Sequence, residues 1–143
     1  MPIELDDDIK RHVAGARDAN KTLVLGYVGP DNAPHLSYRG GVHVYGSDQL
    51  AIWVRTRHGG LVKAISQNPH VALLYSNLDG EDRRLFSFTG RARVEESAND
   101  LVWENTQQIE KERDPEKKGV AVIVDVDSVG GFGASGAFRM SRD

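Results

Sequence analysis

The 143-residue chain has no cysteine, which excludes a disulfide framework, a cysteine-ligated zinc site and a cysteine nucleophile. No apolar run approaches the roughly 18 residues that a membrane-spanning helix needs. The opening stretch MPIELDDDIK is acidic, where a secretory signal would be basic and then apolar. The reading is a cytoplasmic protein with no membrane association, for which a reducing compartment is permitted. An excess of charge is missing too, with 18 Lys and Arg against 21 Asp and Glu for a formal charge of −3. That balance speaks against a nucleic-acid partner and equally against an acidic solvating tail. With 39% hydrophobic and 27% charged residues, the composition is that of an ordinary globular protein. The length suits one domain over residues 1–143.

Several ready-made chemical signatures are absent. The five histidines, His12, His35, His43, His58 and His70, form neither an HxxxH pair on a helix nor an HxH pair on a strand, so no metal site is expected. There is no GxSxG elbow for a serine hydrolase. The acidic groups at residues 6–8, 95–96 and 110–112 read as caps and solvated helix faces. GFGASG at residues 131–136 matches the dinucleotide fingerprint literally, but that fingerprint needs a following helix, a second strand and a later acidic residue. Only seven residues remain after Gly136, so the match carries no function.

What is present is largely β. Leu5, Ile9, Val13 and Ala16 recur three or four apart within residues 4–20, behind an aspartate run that suits a first helical turn. β-rich runs follow at residues 22–28, 35–45 and 50–55, joined by GPDNAP and by Gly46-Ser47-Asp48, a three-strand meander. A short helix over residues 61–67 presents Leu61, Ala64 and Ile65 and stops at Asn68-Pro69. Strands are predicted at residues 70–76 and 83–95, then a helix over 98–113 with Leu101, Val102, Asn105 and Ile109 on one side. GVAVIVDVDSV supplies a sixth strand whose Val120, Val122, Val124 and Val126 share a face. The Gly-rich end is a tail or an edge strand. Six strands with short connections predict a mainly β, α+β fold, an antiparallel barrel closed or nearly so. Their exposed edges predict pairing with a second copy, hence a homodimer.

Two segments stand out. RTRHGGLVK joins Arg55, Arg57, His58 and Lys63 to Thr56, two glycines and an immediate helix start. Freed helix N-terminal amides, close backbone approach and fixed positive charge suit a phosphate or other oxyanion; the alternative is an ordinary strand-to-helix loop with solvated basic residues. SYRGG, residues 37–41, interrupts a strand with adjacent glycines, which means either a bulge that bends the sheet or a flat ligand against open backbone. Trp53, two residues before the basic loop, either flanks such a ligand or belongs to the core.

The succession PHLSYRGGVHVYG, DQLAIWVRTRHGGLVKAISQNPHVALLY and FSFTGRARV resembles the pyridoxamine 5'-phosphate oxidase-like family of FMN-binding split β-barrels over roughly residues 5–127. Most telling is the strand, basic loop and short helix ending in Asn68-Pro69-His70-Val71-Ala72-Leu73, similar to that family's NPxVxL strand start. The resemblance implies a six-stranded antiparallel split β-barrel with flanking short helices. It further implies a homodimer with two interfacial cofactor sites, and FMN or a deazaflavin coenzyme as ligand. It puts Ser37, Tyr38 and Arg39 beside the ring system, with Arg39 or a nearby amide tuning the ring through a hydrogen bond. Trp53, Val54, Arg55 and Thr56 then run along ring and ribityl chain, and His58, Gly59, Gly60, Leu61 and Lys63 lie at the phosphate. The partner subunit is expected to add the other wall, from Trp103 or the tail near Arg139. Gly59-Gly60-Leu61 stands where family members often carry a Ser-Arg-Lys cluster. The chain also lacks the C-terminal tryptophan and arginine-histidine-arginine segment of true pyridoxamine phosphate oxidases, so vitamin B6 oxidation is not expected.

The leading expectation is a dimeric flavin- or deazaflavin-dependent oxidoreductase that moves a hydride to a small planar substrate, with no side chain needed as catalytic acid or base. The alternatives are a split-barrel protein that holds a flavin or haem for storage, sensing or stress without turnover, and a cofactor-free interaction dimer.

Overall fold

Residues 2–142 are described by the structure, a computed structural model. Helix α1 (Asp7–Gly15) is capped by the Asp6 side chain, which accepts the Ile9 amide at 2.9 Å. Its predicted stripe of Leu5, Ile9, Val13 and Ala16 is buried throughout. The strands are β1 (Leu23–Val28), β2 (Pro34–Arg39), β3 (Val42–Gly46), β4 (Gln49–Val54), β5 (His70–Asn77), β6 (Arg84–Val94), β7 (Val120–Gly133) and β8 (Gly136–Ser141). Helix α2 (Gly60–Gln67) lies between β4 and β5, and a 3-10 turn (Glu96–Ala98), α3 (Asn99–Asn105) and α4 (Gln108–Lys111) lie between β6 and β7.

All pairings are antiparallel, in the order β2-β1-β5-β6-β7-β4-β3, with β8 added to β7. The mainly β character holds, but among the described residues there are eight strands rather than six, and the hydrogen-bonded path is open. Two local readings change accordingly. The run 35–45 is not one strand: it breaks at Gly40-Gly41, where the chain leaves one end of the pairing order for the other. The three-strand meander is therefore absent, since β2 pairs with β1 while β3 pairs with β4. A Cβ at Gly40 would meet Glu110 Oε2 at 2.5 Å and Arg17 Cδ at 2.9 Å, so a side chain there would have to displace that pair.

The Gly-rich end is a hairpin. Gly131 has φ +139°, and a Cβ there would collide with the Leu85 carbonyl, which accounts for a glycine without any nucleotide.

Strand β7 organises the interior. Val120, Val122, Val124 and Val126 enter the main core with Leu23, Leu25, Phe86 and Phe88, while Ala121 and Ile123 join a second cluster with Trp53, Ala98 and Val102. The predicted helix over 98–113 is interrupted. Thr106 is extended, and its Oγ1 donates to Val102 O at 2.6 Å. Gln107 Nε2 donates to Ala14 O at 3.1 Å and Val42 O at 2.9 Å. Such side-chain to backbone bonds compete with helix continuation, and they leave Leu101 and Ile109 exposed while Val102 and Glu110 turn inward. Among the described residues, no helix is long and apolar enough to cross a membrane.

Candidate functional site

Strand parity divides β2 into two faces. Ser37 and Arg39 pair with the inward Leu25 and Leu23, whereas Tyr38 and Leu36 pair with Val24 and Gly26 on the outer face. Arg39 Nε donates to Ser37 Oγ at 3.1 Å. Burial lowers the Arg39 guanidinium from its ordinary value; neighbouring Tyr27 opposes that shift and Arg55 adds to it. Among the described residues neither Arg39 nor Arg55 forms an ion pair. A half-buried guanidinium without a carboxylate is a costly arrangement that an anionic or electron-rich ligand relieves.

Tyr27 was not among the sequence candidates, yet it links the cluster to α2. Its ring stacks on His35 at 5.3 Å and 13°, and a Cβ at Gly60 would lie 3.8 Å from its hydroxyl. Its inward parity with Leu23 and Leu25 was the available signal. At the start of α2, Gly59 is the N-cap, and among the described residues no side chain caps the first-turn amides. The Gly59 amide closes a turn on Thr56 O at 2.9 Å, and a Cβ at Gly59 would meet Thr56 Oγ1 at 2.7 Å.

The remaining candidates are placed unevenly. Tyr38, Gly40 and Arg55 line an open cleft of about 890 Å³ together with Arg17, Lys21, Glu110 and Arg113, four residues that the sequence reading missed because they come from distant segments. Inside it Arg17 pairs with Glu110 at 2.9 Å and Lys21 with Asp79 at 2.7 Å. His58 and Lys63 are exposed, Lys63 on the outer side of α2. The side chains of Trp53, Val54 and Leu61 are taken by the core, so these three have only backbone to offer a ligand. Trp53 donates from Nε1 to Asp114 Oδ2 at 3.0 Å and packs edge-on against Trp103 of the same chain, ring centroids 5.0 Å apart. Arg57, one of the loop's fixed charges, is bound to Glu96 and to the carbonyls of Lys118 and Gly119.

The residues fit a flat ligand with an anionic end. Arg39, Arg55, Thr56 and the α2 amides supply positive potential and donors, and the paired glycines permit close approach.

Comparison with solved structures gives HupZ from Group A Streptococcus, with a TM-score of 0.69, 13% identity, and coverage of 92% of this chain and 96% of that one. General Stress Protein 26 from Bacillus anthracis gives 0.65, 18%, 94% and 98%. A protein from Nostoc punctiforme described as pyridoxamine 5'-phosphate oxidase-related and FMN binding gives 0.65, 15%, 91% and 87%. No protein-family model matches the chain, and no curated protein matches it. The chain has the fold of the pyridoxamine 5'-phosphate oxidase-like, FMN-binding split-barrel proteins. At identities of 13 to 18% the likeness is one of fold.

Proposed function

We propose that this protein binds FMN, or a deazaflavin coenzyme of the same shape, and acts as an oxidoreductase on a small planar substrate. The observation that carries the reading is Arg39, half-buried, hydrogen-bonded to Ser37 and lacking a carboxylate partner beside a second arginine, Arg55, in the fold of FMN-binding proteins. When bound, such a group supplies hydride transfer. The chain's own work is to hold the anionic end with Arg55, Thr56 and the α2 amides and to place Arg39 against an electron-rich edge.

The reading includes a homodimer. Leu36 and Tyr38 are 78% and 76% exposed, Leu74 is 42% exposed, and Val24 lies between Tyr38 and Leu74 in register. A contiguous apolar sheet face of this kind marks an interaction surface, and a second copy of the same face is the self-complementary occupant.

A second reading, a flavin- or haem-holding protein without turnover, takes up the stress role carried in the name of one structural match, General Stress Protein 26. One series of measurements separates the readings. The purified protein is titrated with FMN and with the deazaflavin coenzyme, followed by absorption and fluorescence, and then offered nicotinamide donors. Tight uptake with donor-driven reduction supports the oxidoreductase; uptake without reduction supports the holding role; no uptake of either ligand overturns both flavin readings.

A further inference from the structure

Tyr27 on β1 stands opposite His35 of β2, so its side chain shares a face with His35, Ser37 and Arg39. One side of the ring packs against the main core. The other carries the stacked His35 imidazole, whose Nε2 lies 3.3 Å from Asp31 Oδ1. Asp31 in turn accepts the Ala33 amide at 3.1 Å, and a Cβ at Gly29 would strike His35 Nε2 at 2.6 Å. The turn between β1 and β2 therefore folds the imidazole over the phenol and fixes the direction of its ring.

The Tyr27 hydroxyl has no such partner. Among the described residues it makes no hydrogen bond, and it is not one of the closed-off polar atoms in the interior, so it is open to solvent or to a ligand. It ends over the first turn of α2, 3.8 Å from where a Cβ at Gly60 would lie, and no side chain caps that turn. Tyr27 and Arg55 are also the two side chains whose charges bear on the Arg39 guanidinium. One free O–H and two guanidinium groups without carboxylates thus meet beside the start of α2, brought there by β1, β2 and the end of β4. All of them can donate to an anion, and a neutral O–H joins the two arginines without adding to their mutual repulsion.

We propose that Tyr27 is a ligand-binding residue of this site: its hydroxyl donates to the phosphate end of the ligand and makes the site prefer a phosphorylated flavin over the same ring without phosphate. This role rests on the flavin reading above. A tyrosine that only closes the rim of the core has a hydroxyl dispensable to every ligand. A phosphate donor has one dispensable only to a ligand that lacks the phosphate.

The experiment titrates the full chain and Tyr27→Phe with FMN and with riboflavin, followed by flavin fluorescence. Phenylalanine keeps the ring and its stack on His35 and removes a group without a protein partner, so the fold should survive. The parent should prefer FMN, and in Tyr27→Phe that preference should fall roughly tenfold or more, as loss of a hydrogen bond to a charged group does. Riboflavin affinity should change by less than about threefold. An undiminished preference in the variant overturns the role of Tyr27, and so does an equal loss for both ligands, which marks a packing residue. No uptake of FMN by the parent overturns the flavin reading itself and this role with it. Should the variant fail to fold, tyrosine labelled with ¹³C at Cζ decides on the parent: FMN should move the Tyr27 resonance further than riboflavin does, and equal shifts overturn the proposal.

Discussion

Trp53 Nε1 donates to Asp114 Oδ2 at 3.0 Å in the interior, joining residues 61 apart in sequence. The same carboxylate accepts the amides of Lys118 at 3.0 Å and Gly119 at 2.9 Å. Burial alone would raise the Asp114 carboxyl, but these N–H donors outweigh it and hold the group below its ordinary value. The indole is thus a pin at the end of β4, directly before the loop that carries Arg55. Asp114→Ala strands buried donors, and the expected loss is about 3 kcal/mol, read by denaturant unfolding. Asp114→Asn, which keeps an acceptor, should lose less. Equal stability of Asp114→Ala and the parent would remove the pin from the account.

Ligand uptake should rank the basic residues by position. Arg55 lines the large cleft, whereas Lys63 projects from the solvent side of α2. Arg55→Ala is expected to weaken FMN binding roughly tenfold or more, as loss of a charge-assisted hydrogen bond does. Lys63→Ala should cost less than about threefold, the worth of a solvent-screened charge. Fluorescence titration of both variants checks the order, and a reversed order would place the anionic end on α2's outer face.

The apolar face of β2, β1 and β5 predicts how the chain associates. Leu36 is so exposed in the single chain that Leu36→Asp should leave the monomer's fold intact. In a dimer built on this face the new charge is buried against its own copy and repelled. Sedimentation should therefore show a dimer for the parent and a monomer for the variant. A variant that stays dimeric puts the interface elsewhere.

His43 also sets a pH dependence. Its folded-state pKa, about 4, lies below the ordinary 6.5, so between these values the unfolded chain binds the extra proton. Stability therefore falls as pH drops from about 6.5 towards 4, and no further contribution is lost below that. The penalty is of order 3 kcal/mol at most. In His43→Leu this part of the slope should be missing, and chemical denaturation at several pH values across the window checks it. Identical slopes would mean that another group titrates there.

Much of the local structure was legible from periodicity. The stripe of α1, the three inward residues of α2 and the alternation of β7 all follow from which residues must leave water. The basic loop was legible as well, because glycines, arginines and a helix start adjoin in sequence. Thr106 and Gln107 were not, since their side chains break the helix by reaching carbonyls, two of them in α1 and β3.

By itself, then, the sequence determined that the chain is mainly β, where most strands and helices run, and that a basic glycine loop precedes α2. These are short-range properties, set by side-chain spacing and turn chemistry. Only the tertiary structure decided that β2 and β3 part at Gly40-Gly41 to opposite ends of the pairing order, because both halves alternate alike and nothing local names a partner strand. It also decided that Arg57 is consumed by Glu96 while Arg39 is left beside Tyr27 and Arg55, and that Trp53 faces Asp114. Each of these depends on residues far away in the chain, and long-range packing chooses them.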